Sequence, residues 1–255
     1  MRAELLVALN LYRKLSFGQL HARNPVIIEL AERLQRSANS VAMKLCNFAS
    51  LDPLIVASGR SGLPGASALD REVWAEFMAA PMEVAAQSEE ALRNLFGAKE
   101  SDELEVEQKR GIRLRPPTGP TEQLVTVKAR RSQQFFRQMI LNAFDSRCCV
   151  SGLPVRELLV ASHIVPWSDF PNERLNPQNG LCLSRLHDGA FDAGLIAFDA
   201  DRKLVMSKRL KKFLPQTTVQ QNFEAFTDVA FALPEDAPQP STEFLRYHRE
   251  HVFKN

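Results

Sequence analysis

Three short stretches in the second half of the chain decide the expected fold: SHIVPW at 162–167, NPQNGL at 176–181 and LHDGAFD at 186–192. A strand-like run at 158–161 precedes the first stretch, and the third has the composition of a short helix. The order is therefore strand end, loop and helix, with one chemically capable side chain in each. A lone histidine or a lone Asn-Gly pair is usually structural, but an ordered set of this kind points to a site.

The three stretches resemble the His-Asn-His (HNH) endonuclease family, in the restriction-endonuclease-like subgroup that has Asn-Gly-Leu followed by His and Phe-Asp-x-Gly. Sixteen positions separate His163 from Asn179, and eight separate Asn179 from His187. The resemblance covers the C-terminal half of the chain. It implies a ββα-metal unit that hydrolyses phosphodiester bonds, and hence an α+β fold in which a helical N-terminal domain precedes the nuclease domain.

The resemblance also implies roles for individual residues. His163 matches the general base, which suits a group with a pKa near neutrality, and Asn179 matches the loop asparagine that braces it. His187 matches the helical metal ligand. Ser162 stands where the family usually has a second ligand, so Asp192 is the expected substitute, provided that the helix ends there. One divalent ion is implied, Mg²⁺ or Mn²⁺ first, with Ni²⁺ or Zn²⁺ as alternatives.

Basic side chains near such a site would neutralise phosphates without reading sequence. Arg147 and Arg174 are the candidates in the nuclease domain, and the exposed-looking cluster at 208–212 is equally compatible with a solvated face. In the N-terminal half, residues 26–48 have the pattern of a helix-turn-helix, which would place Arg36 and Lys44 on a DNA-reading helix. Ligand sensing or dimerisation is the alternative role for this segment.

The composition limits the class of protein to which the chain can belong. The hydrophobic fraction is 45%, the charged fraction 24% and the net charge +2, so the chain is an ordinary globular protein rather than a strongly basic nucleic-acid binder. The cysteines contain no C-x-x-C pair, which argues against a disulfide framework or a knuckle-type zinc site and favours reduced packing residues. No signal-like segment and no long apolar run occurs, so a cytoplasmic protein without a membrane partner is expected.

The chain is predicted to contain three parts: a helical domain at 1–110, a basic and proline-rich linker at 111–131, and the nuclease domain at 132–255. Apolar periodicity, capping residues and turn signals predict helices near 3–12, 26–34, 41–48, 67–74, 83–95 and 132–144, a final helix from about 241, and short strands at 158–161, 195–198 and 203–206.

Two functional hypotheses follow. The first is a metal-dependent endonuclease acting on double-stranded DNA, in restriction of foreign DNA, and working as a homodimer because one site cuts one strand. The second is a DNA-binding regulator with a degenerate nuclease fold, suggested by Ser162 at a position where a ligand is common.

Overall fold

The computed structural model describes residues 2–99, 102–115 and 127–255. Contacts within the chain divide it into two units, Met1–Asn142 and Ala143–Asn255. The expected α+β class is confirmed, because helices dominate the first unit and short sheets are added in the second.

The first unit contains helices and one β-hairpin. Its elements are α1 (Arg2–Lys14), α2 (Pro25–Leu34), α3 (Ala38–Leu51), α4 (Pro53–Ala57), α5 (Ala68–Ala79), α6 (Pro81–Phe96), β1 (Glu103–Glu107), β2 (Gly111–Arg115) and α7 (Val127–Ala143). Side-chain caps explain several helix starts: Asn24 caps α2, Ser37 caps α3, and Ser67 forms a capping box with Asp70 at α5.

The core of this unit is aromatic and aliphatic. Phe48 and Trp74 are buried with ring centroids 6.3 Å apart, and Tyr12 packs against both rings. The Tyr12 hydroxyl donates to Asp52 at 2.8 Å, so the buried phenol has a partner. These contacts join α1, α3 and α5 into one helical body.

Helix α7 belongs by its contacts to the first unit. The Gln138 side chain accepts from Val106 N (3.0 Å) and donates to Leu104 O (2.6 Å), and Asn142 Nδ2 donates to Val106 O (2.8 Å). These amides satisfy backbone groups of β1 that its partner β2 leaves over. The division of the chain after Asn142 therefore differs from the predicted boundary, which placed this helix in the nuclease domain.

The structure also differs from the prediction of a linker at 111–131. Residues 111–115 are strand β2, residues 127–131 begin α7, and residues 116–126 lie outside the described part of the chain. The hairpin was missed because its apolar residues alternate with charges, so the acidic and basic runs concealed a period of two.

The second unit is built around a strand, a second strand and a helix. Its elements are β3 (Leu159–His163), β4 (Gly180–Ser184), α8 (Arg185–Asp192), β5 (Ile196–Phe198), β6 (Leu204–Met206), α9 (Lys208–Lys211), α10 (Thr217–Asn222) and α11 (Thr242–His251). Strands β3 and β4 are antiparallel, with His163 opposite Gly180, and Ser184 ends β4 and caps α8. Strand β4, which the sequence did not predict, is buried along its whole length.

No helix among residues 2–99, 102–115 and 127–255 is long and apolar enough to cross a membrane.

Candidate active site

His163 is held at the end of β3 by a backbone carbonyl. Its Nε2 lies 3.0 Å from Arg174 O, and because a carbonyl only accepts, the hydrogen is assigned to Nε2 and the lone pair to Nδ1. Burial lowers the pKa of His163 below its usual value, against the carbonyl bond that favours the charged form. The ring is therefore a neutral acceptor at neutral pH, as a general base requires.

Asn179 acts on this histidine through the connecting loop. Its Oδ1 accepts from Val165 N (2.9 Å), its Nδ2 donates to Glu173 O (3.1 Å), and its own carbonyl accepts from Ile164 N (3.0 Å). Asn179 is 1% exposed, so these bonds are shielded from water. They fix the start of the loop at Ile164 and Val165, and they also fix Glu173, the residue before Arg174. The backbone carbonyl of Arg174 in turn orients His163.

Trp167 and Arg174 pack beside the same imidazole. The Trp167 ring lies edge-on to His163, with centroids 5.1 Å apart, and the Arg174 guanidinium lies 4.9 Å from the Trp167 centroid. Arg174 Nε also donates to Trp167 O at 3.0 Å. The structure thus brings the predicted phosphate-binding Arg174 to the predicted base, with an unpredicted tryptophan between them.

His187 is buried on the inner side of α8. Its Nε2 lies 2.8 Å from Asn222 O, and its Nδ1 lies 2.8 Å from Ser184 Oγ and 3.6 Å from Cys148 Sγ. The residue is 2% exposed, and the rings of Phe223 and Phe226 pack edge-on to it. Both ring nitrogens are engaged by the protein, which is the environment of a packing histidine rather than of an open ligand.

The Cys148 thiol and His187 perturb each other. Burial raises the pKa of Cys148, but hydrogen bonding with His187 and Ser151 outweighs it and brings the pKa to about 6. Burial lowers the pKa of His187, and hydrogen bonding with Cys148 and Asn222 outweighs that and raises it. None of the four cysteines, which all lie in the described part of the chain, forms a disulfide, and Cys148, Cys149 and Cys182 are buried, as packing residues are.

The other side of α8 carries two carboxylates. Asp188 and Asp192 are four positions apart and therefore share a helix face. Burial and the negative charge of Asp188 raise the pKa of Asp192 to about 6. Burial raises the pKa of Asp188 as well, against hydrogen bonding from Ser162 and the charge of Arg185. Helix α8 ends at Asp192, the condition that its predicted role required.

Ser162 lies next to His163 in β3 and beside Asp188. Ser162 is 3% exposed, and its hydroxyl is close enough to Asp188 to lower the pKa of that carboxyl. Sequence reasoning missed Asp188, although the acidic i, i+4 pair was a usable signal.

Residues 148–199 match the family model described as HNH endonuclease. This segment is an HNH domain. It contains β3, β4, α8 and every residue of the site around His163 and Asp188. No curated protein matches the chain.

Within residues 2–99, 102–115 and 127–255, no group of three or more His, Cys, Asp or Glu side chains is arranged to hold a metal ion. Asp188 and Asp192 with the buried Ser162 hydroxyl nevertheless fit a hard cation, because Mg²⁺ is usually held by one or two carboxylates together with waters and substrate phosphates. The HNH domain thus offers two carboxylates on α8 as oxygen donors.

The other predicted DNA contacts are dispersed. Arg147 is exposed in the second unit, outside the matched segment, and its Nη1 lies 3.4 Å from Gly152 O. In the first unit, Arg36 is exposed and pairs with Glu4 at 3.3 Å. Lys44 makes two bonds to the buried Asp70 carboxylate, at 3.0 and 3.1 Å, so its charge is already matched within the unit.

Two consecutive helices, α2 and α3, occupy the segment that was predicted to be a helix-turn-helix. The turn between them contains Gln35, which adopts a positive φ of 54°. The first turn of α3 exposes Asn39 and Ser40, whereas the loop at 62–65 covers its later part: a Cβ at Gly62 would meet Cys46 O at 2.2 Å. The N-terminal end of α3 is therefore open to a partner.

Proposed function

We propose that this protein is a DNA endonuclease that hydrolyses phosphodiester bonds in its HNH domain, with His163 as the general base. The observation that carries the proposal is the bond from His163 Nε2 to the Arg174 carbonyl, in a loop fixed by Asn179. It aims the Nδ1 lone pair and keeps the ring in one tautomer. Asn179 is a positioning residue, since its bonds go to the loop rather than to reacting atoms.

In the proposed reaction, His163 Nδ1 accepts a proton from the water that attacks phosphorus. Arg174, braced on Trp167, binds the phosphate next to this water and reduces its negative charge. When bound, a divalent ion supplies further charge neutralisation at the phosphate and at the departing oxygen. Asp192, at the end of α8, is the predicted ligand that the geometry supports, whereas His187 faces the core.

The substrate we infer is double-stranded DNA, and the biological role is restriction of foreign DNA. Support comes from the combination of an HNH domain with a helix pair whose exposed end includes Arg36. Arg147 adds an exposed cation for the phosphate backbone, while Lys44 contributes only if it leaves Asp70. One such site cuts one strand at a time and a duplex has two, so we propose a homodimer during cleavage of both strands.

The second candidate function is a DNA-binding regulator whose HNH domain no longer cleaves. The observation in its favour is the small number of side chains that could bind a metal ion, because Ser162 stands where the family usually has a metal ligand. The two functions differ in whether any divalent ion permits cleavage.

The test is incubation of supercoiled plasmid with wild-type protein in EDTA and in Mg²⁺, Mn²⁺, Ni²⁺ or Zn²⁺. His163→Ala is compared with His21→Ala, a matched change of an exposed histidine in the first unit. We expect nicked and linear plasmid with metal for the wild type and His21→Ala, and none for His163→Ala. Retarded DNA without cleavage under any ion, with all three proteins folded, establishes the regulator instead.

A further inference from the structure

A cavity of about 230 Å³ lies within the first unit, beside the first turn of α3. Helices α1, α2, α3 and α5 each contribute to its apolar wall, through Leu5, Leu34, Val41 and Leu69. Three charged side chains, Glu4, Arg36 and Lys44, line the same cavity. We propose that it binds a small molecule with an aliphatic body and one carboxylate, which Arg36 recognises. This goes beyond the proposed function, since it needs neither DNA nor a metal ion.

The size and the lining of the cavity suit a small organic ligand. Its most buried lining residues, Leu5, Ala8 and Val41, are all aliphatic. An apolar cavity of about 150 Å³ is enough to hold benzene, so this larger one has room for a chain of roughly six carbons and its head group. Ligand pockets typically combine such an apolar wall with a few polar groups that fix the orientation of the ligand.

The Arg36 guanidinium is available to a carboxylate because its present partner is easily replaced. Arg36 Nη2 lies 3.3 Å from Glu4 Oε2, and the two side chains are 53% and 38% exposed. Exposed ion pairs of this kind contribute little to stability. A ligand carboxylate can therefore take the place of Glu4, and a guanidinium binds a carboxylate through two parallel hydrogen bonds.

Lys44 adds a second positive charge to the cavity. Its ammonium has three N–H donors, of which two reach the Asp70 carboxylate at 3.0 and 3.1 Å. That buried carboxylate also accepts from Ser67 N and Asn47 Nδ2, so its charge is shared among several donors. Ser40, in the first turn of α3, brings the positive end of the helix dipole to the cavity wall. The cavity therefore favours an anionic head group, for which Glu4 is the competitor.

Binding is measured by equilibrium dialysis of radiolabelled hexanoate against the full-length chain at neutral pH and low salt. Hexan-1-ol and hexylamine are compared with it, because they carry a neutral and a cationic head group on the same carbon chain. Glu4→Gln and Arg36→Gln are tested singly. Glu32→Gln and Arg71→Gln are the matched controls, because both residues are exposed on helices and do not line the cavity.

We expect hexanoate to bind at least about tenfold more tightly than hexan-1-ol, and hexylamine to bind more weakly still. Arg36→Gln should lower the affinity for hexanoate by about tenfold, because a hydrogen bond between charged groups is lost. Glu4→Gln should raise it by about threefold, because the competing carboxylate is gone. Neither substitution should change the affinity for hexan-1-ol, and the two controls should bind hexanoate like the wild type.

The location of the site is tested with a bulky side chain. Ser40→Trp places an indole at the cavity wall, and Asn39→Trp is its control, because Asn39 is exposed in the same turn but does not line the cavity. Only Ser40→Trp should abolish hexanoate binding, with both variants unfolding cooperatively in urea. The proposal is overturned if the wild type binds no hexanoate, if it binds hexan-1-ol equally well, or if Arg36→Gln or Ser40→Trp binds hexanoate like its control.

Discussion

At the scale of single residues, the candidate site depends on hydrogen bonds that select one tautomer and one loop geometry. His163 donates from Nε2 to a carbonyl, and Asn179 holds the loop that carries this carbonyl. His163 and Asn179 are therefore coupled, although only His163 is proposed to contact the reacting water. Substitutions at the two positions should lower cleavage for different reasons.

Replacing Asn179 by alanine should impair both folding and cleavage. The change leaves Val165 N and Glu173 O without their side-chain partner, so the free energy of unfolding should fall by about 1–3 kcal/mol. Cleavage should fall by about 10- to 100-fold because the carbonyl that orients His163 is less well placed. Urea unfolding and plasmid nicking measure the two effects. Wild-type nicking by a destabilised Asn179→Ala protein would contradict the positioning role.

Arg174→Lys separates the charge of Arg174 from its stacking. Lysine keeps the positive charge and the backbone carbonyl, but it loses the planar contact over Trp167 and the Nε bond to Trp167 O. We expect KM for DNA to rise by about 3- to 10-fold, equivalent to roughly 1 kcal/mol, with kcat nearly unchanged. Steady-state cleavage of a labelled duplex distinguishes this from a fall in kcat alone, which would point to a misplaced His163 instead.

At the scale of elements, the ββα unit places all of these groups. Strand β4 runs directly into α8, and Ser184 both caps the helix and contacts His187 Nδ1. The inner face of α8 is anchored by the buried side chains of His187 and Phe191, which leaves Asp188 and Asp192 on a more exposed face of the helix. Packing of α8 in the core therefore sets the orientation of the helix and, with it, the positions of Asp188 and Asp192.

Ser184→Ala should loosen this anchoring of α8. Loss of the cap and of the Nδ1 contact should lower the free energy of unfolding by about 1–2 kcal/mol. Ser241→Ala is a matched control, because Ser241 caps α11 through Phe244 N at 3.3 Å and lies outside the site. We expect comparable destabilisation in urea melts for both variants, but weaker metal-dependent cleavage only for Ser184→Ala. Equal cleavage by the two variants would show that α8 needs no such anchoring.

At the scale of the whole molecule, α11 is distant in sequence from the segment that carries the site, but it packs against that segment in the second unit. His248 of this helix stacks on Phe191 of α8, with ring centroids 3.6 Å apart and planes 2° from parallel. Its Nε2 bonds to Phe191 O at 3.2 Å, and its Nδ1 is buried without a partner within the described residues. The C-terminal helix therefore supports the element that carries the carboxylates.

This contact makes stability depend on pH. Burial lowers the pKa of His248 to about 4 from its usual 6.5, so the unfolded chain binds more protons between these values. The stabilisation is present above about pH 6.5 and is lost as pH falls toward about 4, by an amount on the order of 3 kcal/mol. Urea unfolding at a series of pH values should show this slope, and His248→Gln should reduce it. An identical slope in the variant would assign the acid sensitivity to other groups.

The sequence by itself determined the local elements and the ordered motif. Helical periodicity, a proline at position 25 and a capping side chain at Ser37 predicted helices that the structure contains, because capping and amphipathicity act within a few residues. The stretches that contain His163, Asn179 and His187 resemble the HNH family, and the match of residues 148–199 to that family's model confirms the resemblance. Strands β1 and β2 were not predicted, because the charged residues in them concealed the alternation of their apolar residues.

Only the tertiary structure decided which residues face one another. Whether position 187 or position 188 turns outward depends on the rotation of α8, which is set by packing against Cys148, Phe223 and Phe226, residues distant in sequence. The attachment of α7 to the first unit likewise follows from the backbone groups of β1 that its amides satisfy. Local patterns specify which elements form, but burial and hydrogen-bond satisfaction across the fold specify which side chains reach the site.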